Sequence, residues 1–264
     1  MGSVIGIDMG SAYSEGIIMA GNEVLGAYEC PSGGDYQGTA EIIGKELITQ
    51  AGVHPDRIAY TVATGYGSKR VGFADEQVTD VSCHARGLFF LHPTVRTAVD
   101  IGDLHSKAFR IDEKGNMTSF LPSGKCAGGS GRILKIIAKV LQLKVEEIGK
   151  ISLRSGSPVD FNTGCAVFAE SEAISRISEG VSKEDLLAGI HRALAAQVHS
   201  LAERLGIEGD YAVTGGGARN VGLIEAMKEV SGFDLVVPED PHMTAALGAA
   251  IFAGERLENG AMVP

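Results

Sequence analysis

Two apolar strand-like runs in this chain, Val4–Asp8 and Thr97–Gly102, carry the same signature at their ends: Asp8-Met9-Gly10 and Asp100-Ile101-Gly102. Each is followed by two further strand-like runs, Gly16–Met19 and Glu23–Glu29 after the first, Ala108–Asp112 and Met117–Leu121 after the second. Helical patterns then close each block. A strand, a hairpin and helices that occur twice in order describe an α/β fold of two similar lobes. A chain of 264 residues has room for two lobes of roughly 100–150 residues each. The expected division is 1–94 for the first lobe and 95–242 for the second, with a C-terminal helix, 243–264, joining the first. Two such lobes facing each other would set two acidic strand ends across a cleft, and ligands of open α/β sheets bind beyond the carboxyl ends of strands. The expectation is a magnesium nucleotide.

The remaining pattern gives helix Tyr36–Ala51, strand Ile58–Ala63 and a helix closing near His92. Helices Gly131–Leu141, Cys165–Glu179 and Lys183–Leu205 follow, then strand Tyr211–Thr214 running into Gly215-Gly216-Gly217. Helix Gly222–Val230, strand Leu235–Val237 and helix Thr244–Ala253 complete the chain. Asp8 can hold magnesium directly or through water, and Gly10 permits a positive φ in the turn that presents Ser11. A glycine run between strand and helix lets backbone lie against a phosphate or adenosine at a helix N-terminus.

Composition narrows the ligand classes. A net charge of −10 argues against a phosphate-tracking nucleic-acid surface, and aromatics at 6% with no Trp give base stacking little support. No apolar stretch reaches the roughly 18 residues of a membrane span, and the N-terminus has no basic region or cleavage site. The chain therefore reads as cytoplasmic, with no membrane and no nucleic acid among its partners. Its four cysteines, Cys30, Cys83, Cys126 and Cys165, include no C-x-x-C; on spacing alone each reads as a small buried hydrophobe rather than half of a disulfide.

Asp8-Met9-Gly10-Ser11, Asp100-Ile101-Gly102 and Thr214-Gly215-Gly216-Gly217 resemble the two phosphate loops and the adenosine loop of the ribonuclease H-like actin/Hsp70/hexokinase ATPases. Thr64-Gly65-Tyr66-Gly67, Ser82-Cys83-His84-Ala85, the run from Lys125 to Arg132, the run from Cys165 to Glu172, and Gly189-Ile190-His191-Arg192 are more specific. They resemble one subfamily, the activators of 2-hydroxyacyl-CoA dehydratases and the ATPase subunits of benzoyl-CoA reductase. That resemblance implies catalytic roles for Asp8 and Asp100. It implies cofactor contacts at Gly10, Ser11, Ala12, Tyr13, Ser14, Gly102, Gly128, Gly129, Ser130, Gly215, Gly216, Gly217 and Arg219. It also implies that Cys126 and Cys165, with their counterparts in a second identical or homologous ATPase subunit, hold one 4Fe-4S cluster per dimer. The cofactors implied are ATP, Mg2+ and that cluster. The activity implied is ATP hydrolysis that drives a low-potential electron from a ferredoxin or flavodoxin into a CoA-ester reductase or dehydratase. Cys30 and Cys83 keep the reading of packing residues.

The second loop departs from the subfamily's usual D-I-G-G-Q-D-x-K. Here it runs Asp100-Ile101-Gly102-Asp103-Leu104-His105-Ser106-Lys107. Leu104 cannot stabilise charge developing on a phosphoryl group, which counts against efficient hydrolysis. Glu15 stands where a basic residue is common, and Arg219 where a glutamine contacts nucleotide. The D-I-G-x-L-H variant favours one of two unequal benzoyl-CoA-reductase-type subunits over a homodimeric activator. A small-molecule, sugar-type kinase on the same fold is the alternative of another class, and it would have no need of Cys126 or Cys165.

Overall fold

The computed structural model describes residues 2–124, 129–161 and 166–260. Lys125, Cys126, Ala127, Gly128 and Cys165 lie outside the described residues. The chain divides into two compact units, Met1–Thr94 with Ile111–Thr118 and His242–Pro264, and Val95–Arg110 with Ser119–Pro241.

In the first unit, strands β1 (Ser3–Met9), β2 (Tyr13–Ala20), β3 (Glu23–Pro31), β4 (Ile58–Thr64) and β5 (Glu76–Gln77) form a sheet of order β3-β2-β1-β4-β5. Helices α1 (Tyr36–Ala51), α2 (Asp80–Leu91) and α8 (Thr244–Gly260) accompany it. Alternation along β1 sorts its side chains onto two faces. Ile5, Ile7 and Met9 pack with Ala40, Ile43 and Leu47 of α1, while Val4 packs with Cys83 and with Ala245, Ala246, Ala249 and Ala250 of α8. Each fully buried Ile or Leu among them contributes about 2 kcal/mol. Gly6 lies where a Cβ would strike the α8 backbone at Ala246 and Ala250, so the alanine-rich helix rests directly on the strand. Asp35 starts α1 by accepting from the Gly38 N–H at 3.1 Å, and Gly52, at φ 62°, ends it.

In the second unit, β6 (Val95–Ile101), β7 (Ser106–Ile111), β8 (Met117–Pro122), β9 (Asp210–Thr214) and β10 (Leu235–Val236) form a sheet of order β10-β9-β6-β7-β8. Helices α3 (Arg132–Val140), α4 (Val145–Ser152), α5 (Ala166–Ser178), α6 (Lys183–Leu205) and α7 (Val221–Ser231) belong to it. One core joins Val99 and Ile101 of β6 to Ile133 and Ile137 of α3, Ile190 and Leu194 of α6, and Leu223 and Met227 of α7.

The two sheets have one topology. A central strand (β1 or β6) pairs antiparallel with a hairpin on one side and parallel with a later strand (β4 or β9) on the other. The duplication announced by the two Asp-x-Gly signatures is therefore a duplication of fold. Several details differ from the sequence pattern. Helix α4 has no mark in that pattern, because its eight residues span too few turns to show a period. Helix α8 continues past Ala253 to Gly260, and ion pairs from its polar end to the rest of the unit, Arg256–Glu76 at 2.8 Å and Glu255–Arg86 at 3.5 Å, account for the extension. Gly216–Arg219 forms a 3-10 turn ahead of α7. No helix among the described residues is long and apolar enough to cross a membrane.

Candidate functional site

In the first unit, Asp8 sits one residue before the end of β1, opposite Glu15 on β2 and Thr64 on β4. The turn that follows contains Gly10, Ser11 and Ala12, and Tyr13 and Ser14 begin β2. Hydroxyl groups brace this turn from beneath. Ser32 Oγ donates to the Gly10 carbonyl at 2.7 Å and lies 2.8 Å from Ser14 Oγ, and the Ser32 N–H donates to the Ala12 carbonyl at 3.0 Å. Thr39 Oγ1 donates in turn to the Ser32 carbonyl at 2.9 Å. Ser14 and Ser32 are fully buried, while Ser11 and Ala12 are half-buried and Tyr13 is exposed, so the brace is inside and the turn faces outward.

The loop after β4 closes on the same carboxylate. Gly65 has φ 84°, and a Cβ there would collide with Asp8 Oδ1; the Gly67 N–H donates to the Met9 carbonyl at 2.9 Å. Only glycine allows the chain both that conformation and that approach.

The second unit repeats this arrangement with other residues. Asp100, 7% exposed, lies one residue before the end of β6, opposite Lys107 on β7 and Thr214 on β9. Gly102 donates its N–H to the His105 carbonyl at 3.1 Å. Gly215, at φ 83°, lies where a Cβ would collide with Asp100 Oδ1. Its N–H and the Thr214 hydroxyl both donate to the Pro241 carbonyl, at 2.9 and 2.6 Å. Gly217 lies against the Ile101 side chain, Gly216 meets open space, and Arg219 is exposed at the end of the 3-10 turn. Asn220 then caps α7, accepting from the Leu223 N–H at 3.0 Å.

The structure thus brings Asp8, Gly10, Ser11, Ala12, Tyr13 and Ser14 together in one turn. It brings Asp100 and Gly102 together with Gly215, Gly216, Gly217 and Arg219 in another. Gly129 and Ser130 are buried just before α3, and Gly128 lies outside the described residues. Sequence reasoning missed Ser32 and the packing of Gly65 on Asp8. The second had a visible signal, because Thr64-Gly65 after β4 repeats Thr214-Gly215 after β9.

The departures also acquire places. Glu15, 6% exposed, shares a cross-strand row with Asp8 and with Glu29 on β3, and Glu29 Oε2 lies 3.1 Å from His242 Nε2. Among the described residues no three histidine, cysteine, aspartate or glutamate side chains are placed to hold a metal ion by themselves. A magnesium ion bound through one carboxylate, with phosphate oxygens and water completing its shell, does not need such a group. Leu104 is half-buried and His105 exposed in the second turn. Cys83 is fully buried in α2, and burial pushes its thiol well above the ordinary range. Cys30, half-buried, is also shifted upward, by burial and then by Glu15 and Glu29. Neither is a ready thiolate.

The model of the BadF/BadG/BcrA/BcrD ATPase family matches residues 5–253. The chain belongs to this ATPase family. A 2-hydroxyisocaproyl-CoA dehydratase activator of Clostridioides difficile is 39% identical over 94% of this chain and 94% of its own. One of the benzoyl-CoA reductase subunits of Thauera aromatica is 33% identical over 80% of this chain and 77% of its own. The solved structure of the activator of the 2-hydroxyisocaproyl-CoA dehydratase from Clostridium difficile with bound ADPNP superposes with a TM-score of 0.93 at 38% identity, covering 99% and 98% of the two chains. The fold of this family member is therefore that of the two-lobed actin/Hsp70-type ATPases, as expected from its loops.

Proposed function

We propose that this ATPase is an electron activator. It takes up Mg–ATP through its Asp8 and Asp100 turns and couples hydrolysis to delivery of a low-potential electron into a CoA-ester dehydratase or reductase. The observation that carries the nucleotide half is the repeated turn: a strand-end aspartate against a positive-φ glycine, once in each unit. Both turns suit a phosphate ligand, since their glycines let the backbone pass close to a ligand and each strand-end aspartate can meet a metal ion. Asp8 holds magnesium, directly or through water, and Gly10 to Ser14 offer N–H groups and hydroxyls to phosphate. Asp100 and Gly102 position the attacking water, and Gly215 to Gly217 with Arg219 receive the adenosine side. Gly128, Gly129 and Ser130 are further cofactor contacts.

The electron half rests on Cys126 and Cys165. The described flanks agree with that role: α3 begins at Arg132 and α5 at Ala166, so both cysteines precede helix N-termini, whose partial positive charge favours thiolates. Two such chains, identical or homologous, would supply the four thiolates of a 4Fe-4S cluster, and the cluster would supply one-electron transfer. A ferredoxin or flavodoxin is the donor we expect. Within the family, the D-I-G-x-L-H loop points to a reductase component, whereas the greater identity to the dehydratase activator weighs the other way. We favour the dehydratase side.

Anaerobic purification tests this reading. The expected protein is brown, carries about four irons per two chains, and loses them in Cys126→Ala and Cys165→Ala without losing its circular dichroism. Iron retained by either variant contradicts the ligand assignment. Colourless protein that releases ADP only with a sugar present would instead support the kinase.

A further inference from the structure

The second Asp-x-Gly turn is tied to its neighbours in a way the first is not. Asp103, immediately after Gly102, has a side chain only 12% exposed. Its carboxylate accepts from Arg132 Nη2 at 2.9 Å and lies 2.7 Å from Lys135 Nζ, both on the first turns of α3. The backbone doubles the connection: the Gly131 N–H donates to the Gly102 carbonyl at 2.8 Å, and the Arg132 N–H to the Asp103 carbonyl at 3.2 Å. At the other end of the same turn, the Ser123 N–H donates to the Ser106 carbonyl at 2.7 Å, and Ser123 Oγ accepts from the Ser106 N–H at 3.1 Å. The residues on either side of 124–129 are thus both fastened to one five-residue turn, Gly102 to Ser106.

Charge strengthens the fastening. Burial opposes the Asp103 charge, but hydrogen bonds from Lys135 and Arg132 outweigh it and hold the carboxyl below its ordinary range. Charge-assisted bonds of this kind are roughly twice as strong as neutral ones. The pair also occupies two cations that a phosphate could otherwise draw.

We infer that Asp103 is a positioning residue that locks the second Asp-x-Gly turn to α3, so that a nucleotide taken up at the turn is transmitted to that helix. This deepens the proposed function and rests on its claim that the turn meets nucleotide. It assigns no chemistry to Asp103, which acts only through Arg132, Lys135 and the turn. Because a rigid element moves as one body, a shift of the turn reaches α3 while the lock is closed; with only two backbone bonds left, the two can move separately.

The test is hydrogen exchange on the full chain, with and without the non-hydrolysable analogue AMP-PNP and magnesium, in the unaltered protein, Asp103→Asn and Asp103→Glu. Nucleotide affinity is measured in parallel by equilibrium dialysis. The unaltered chain is expected to gain protection in residues 98–106 and also in 130–140. Asp103→Asn should bind AMP-PNP within about threefold of the unaltered chain and keep the first protection. It should lose the second, with exchange in 130–140 about tenfold faster than in the unaltered complex. Asp103→Glu, which keeps the charge, should recover part of it. Equal protection of 130–140 in Asp103→Asn and the unaltered chain overturns the lock, since the helix would then sense nucleotide by another route. AMP-PNP binding with no change at 130–140 in the unaltered chain overturns it as well. Failure of the unaltered chain to bind AMP-PNP removes the nucleotide reading itself, and the transmission with it.

Discussion

The Asp8 turn and the Asp100 turn are built on one plan and held by opposite means. Each follows a central strand, and each presents an aspartate against a glycine at φ above 80°, Gly65 or Gly215. Beneath the first lie Ser14, Ser32 and Thr39, a neutral hydroxyl brace belonging to the same small unit. Beside the second lie Asp103, Arg132 and Lys135, an ionic brace to α3 of the second unit, where the first brace runs through Thr39 to α1. The aspartate–glycine packing is common to both turns, while the supports differ. The first brace holds its turn by neutral hydrogen bonds, and the second holds its turn by charge as well as backbone.

The sharpest break in that comparison would come from the two positive-φ glycines. Gly65→Ala and Gly215→Ala each put a left-handed conformation and a collision with a carboxylate on one residue, and each is expected to cost about 3 kcal/mol of stability. Thermal unfolding should show two similar losses. If one were silent, the claim of equivalent turns would fail.

The aspartates separate the roles. Asp8→Asn is expected to weaken Mg–ATP affinity about tenfold, because a metal partner loses its charge. Asp100→Asn is expected to cut ADP release about a hundredfold while affinity stays within about threefold, as for loss of a group that acts mainly at the transition state. Calorimetry and steady-state ADP assays measure the two, and an Asp8 variant of unchanged affinity would remove Asp8 from the site.

The braces should respond less and differently. Ser32→Ala removes a hydroxyl bonded to the Gly10 carbonyl and to Ser14, and about 1–2 kcal/mol should go with it, visible in chemical denaturation. Acid should distinguish the braces with the smallest signal. The hydroxyl brace has no titrating group. The Asp103 carboxyl has a folded pKa below its unfolded one, so its contribution is fully present above the unfolded value, about 3.9, and is lost as pH falls through the lower folded value. Amide exchange at the start of α3, corrected for intrinsic rate, should therefore accelerate below about pH 4 while amides bonded to the Ser32 brace do not. Parallel acceleration in both would erase the distinction.

Much of the fold was legible because it repeats. The strand-end aspartates, the hairpins and the long helices α1 and α6 each leave a periodic or duplicated mark in the sequence. Helix α4, with eight residues, and β5, with two, leave none. Of the candidate site, the glycines and aspartates could be named from the chain, and even the Gly65–Asp8 contact had its trace in the repeated Thr-Gly. Ser32 and the Asp103–Arg132–Lys135 contacts could not, since they join residues about twenty to thirty apart by side-chain geometry that no spacing rule records.

Coupling between ATP and electrons is the central requirement of the proposed function. Under strict anaerobiosis, the protein would be given Mg–ATP, a reduced low-potential one-electron donor and a CoA-ester dehydratase component, and ADP released would be counted against electrons delivered. Electron delivery is expected to require ATP, to stop with AMP-PNP, and to fall with ADP release in Asp100→Asn. Electron delivery at the same rate without ATP, or ADP release with no electron delivered to any CoA-ester dehydratase or reductase, would contradict the proposed function.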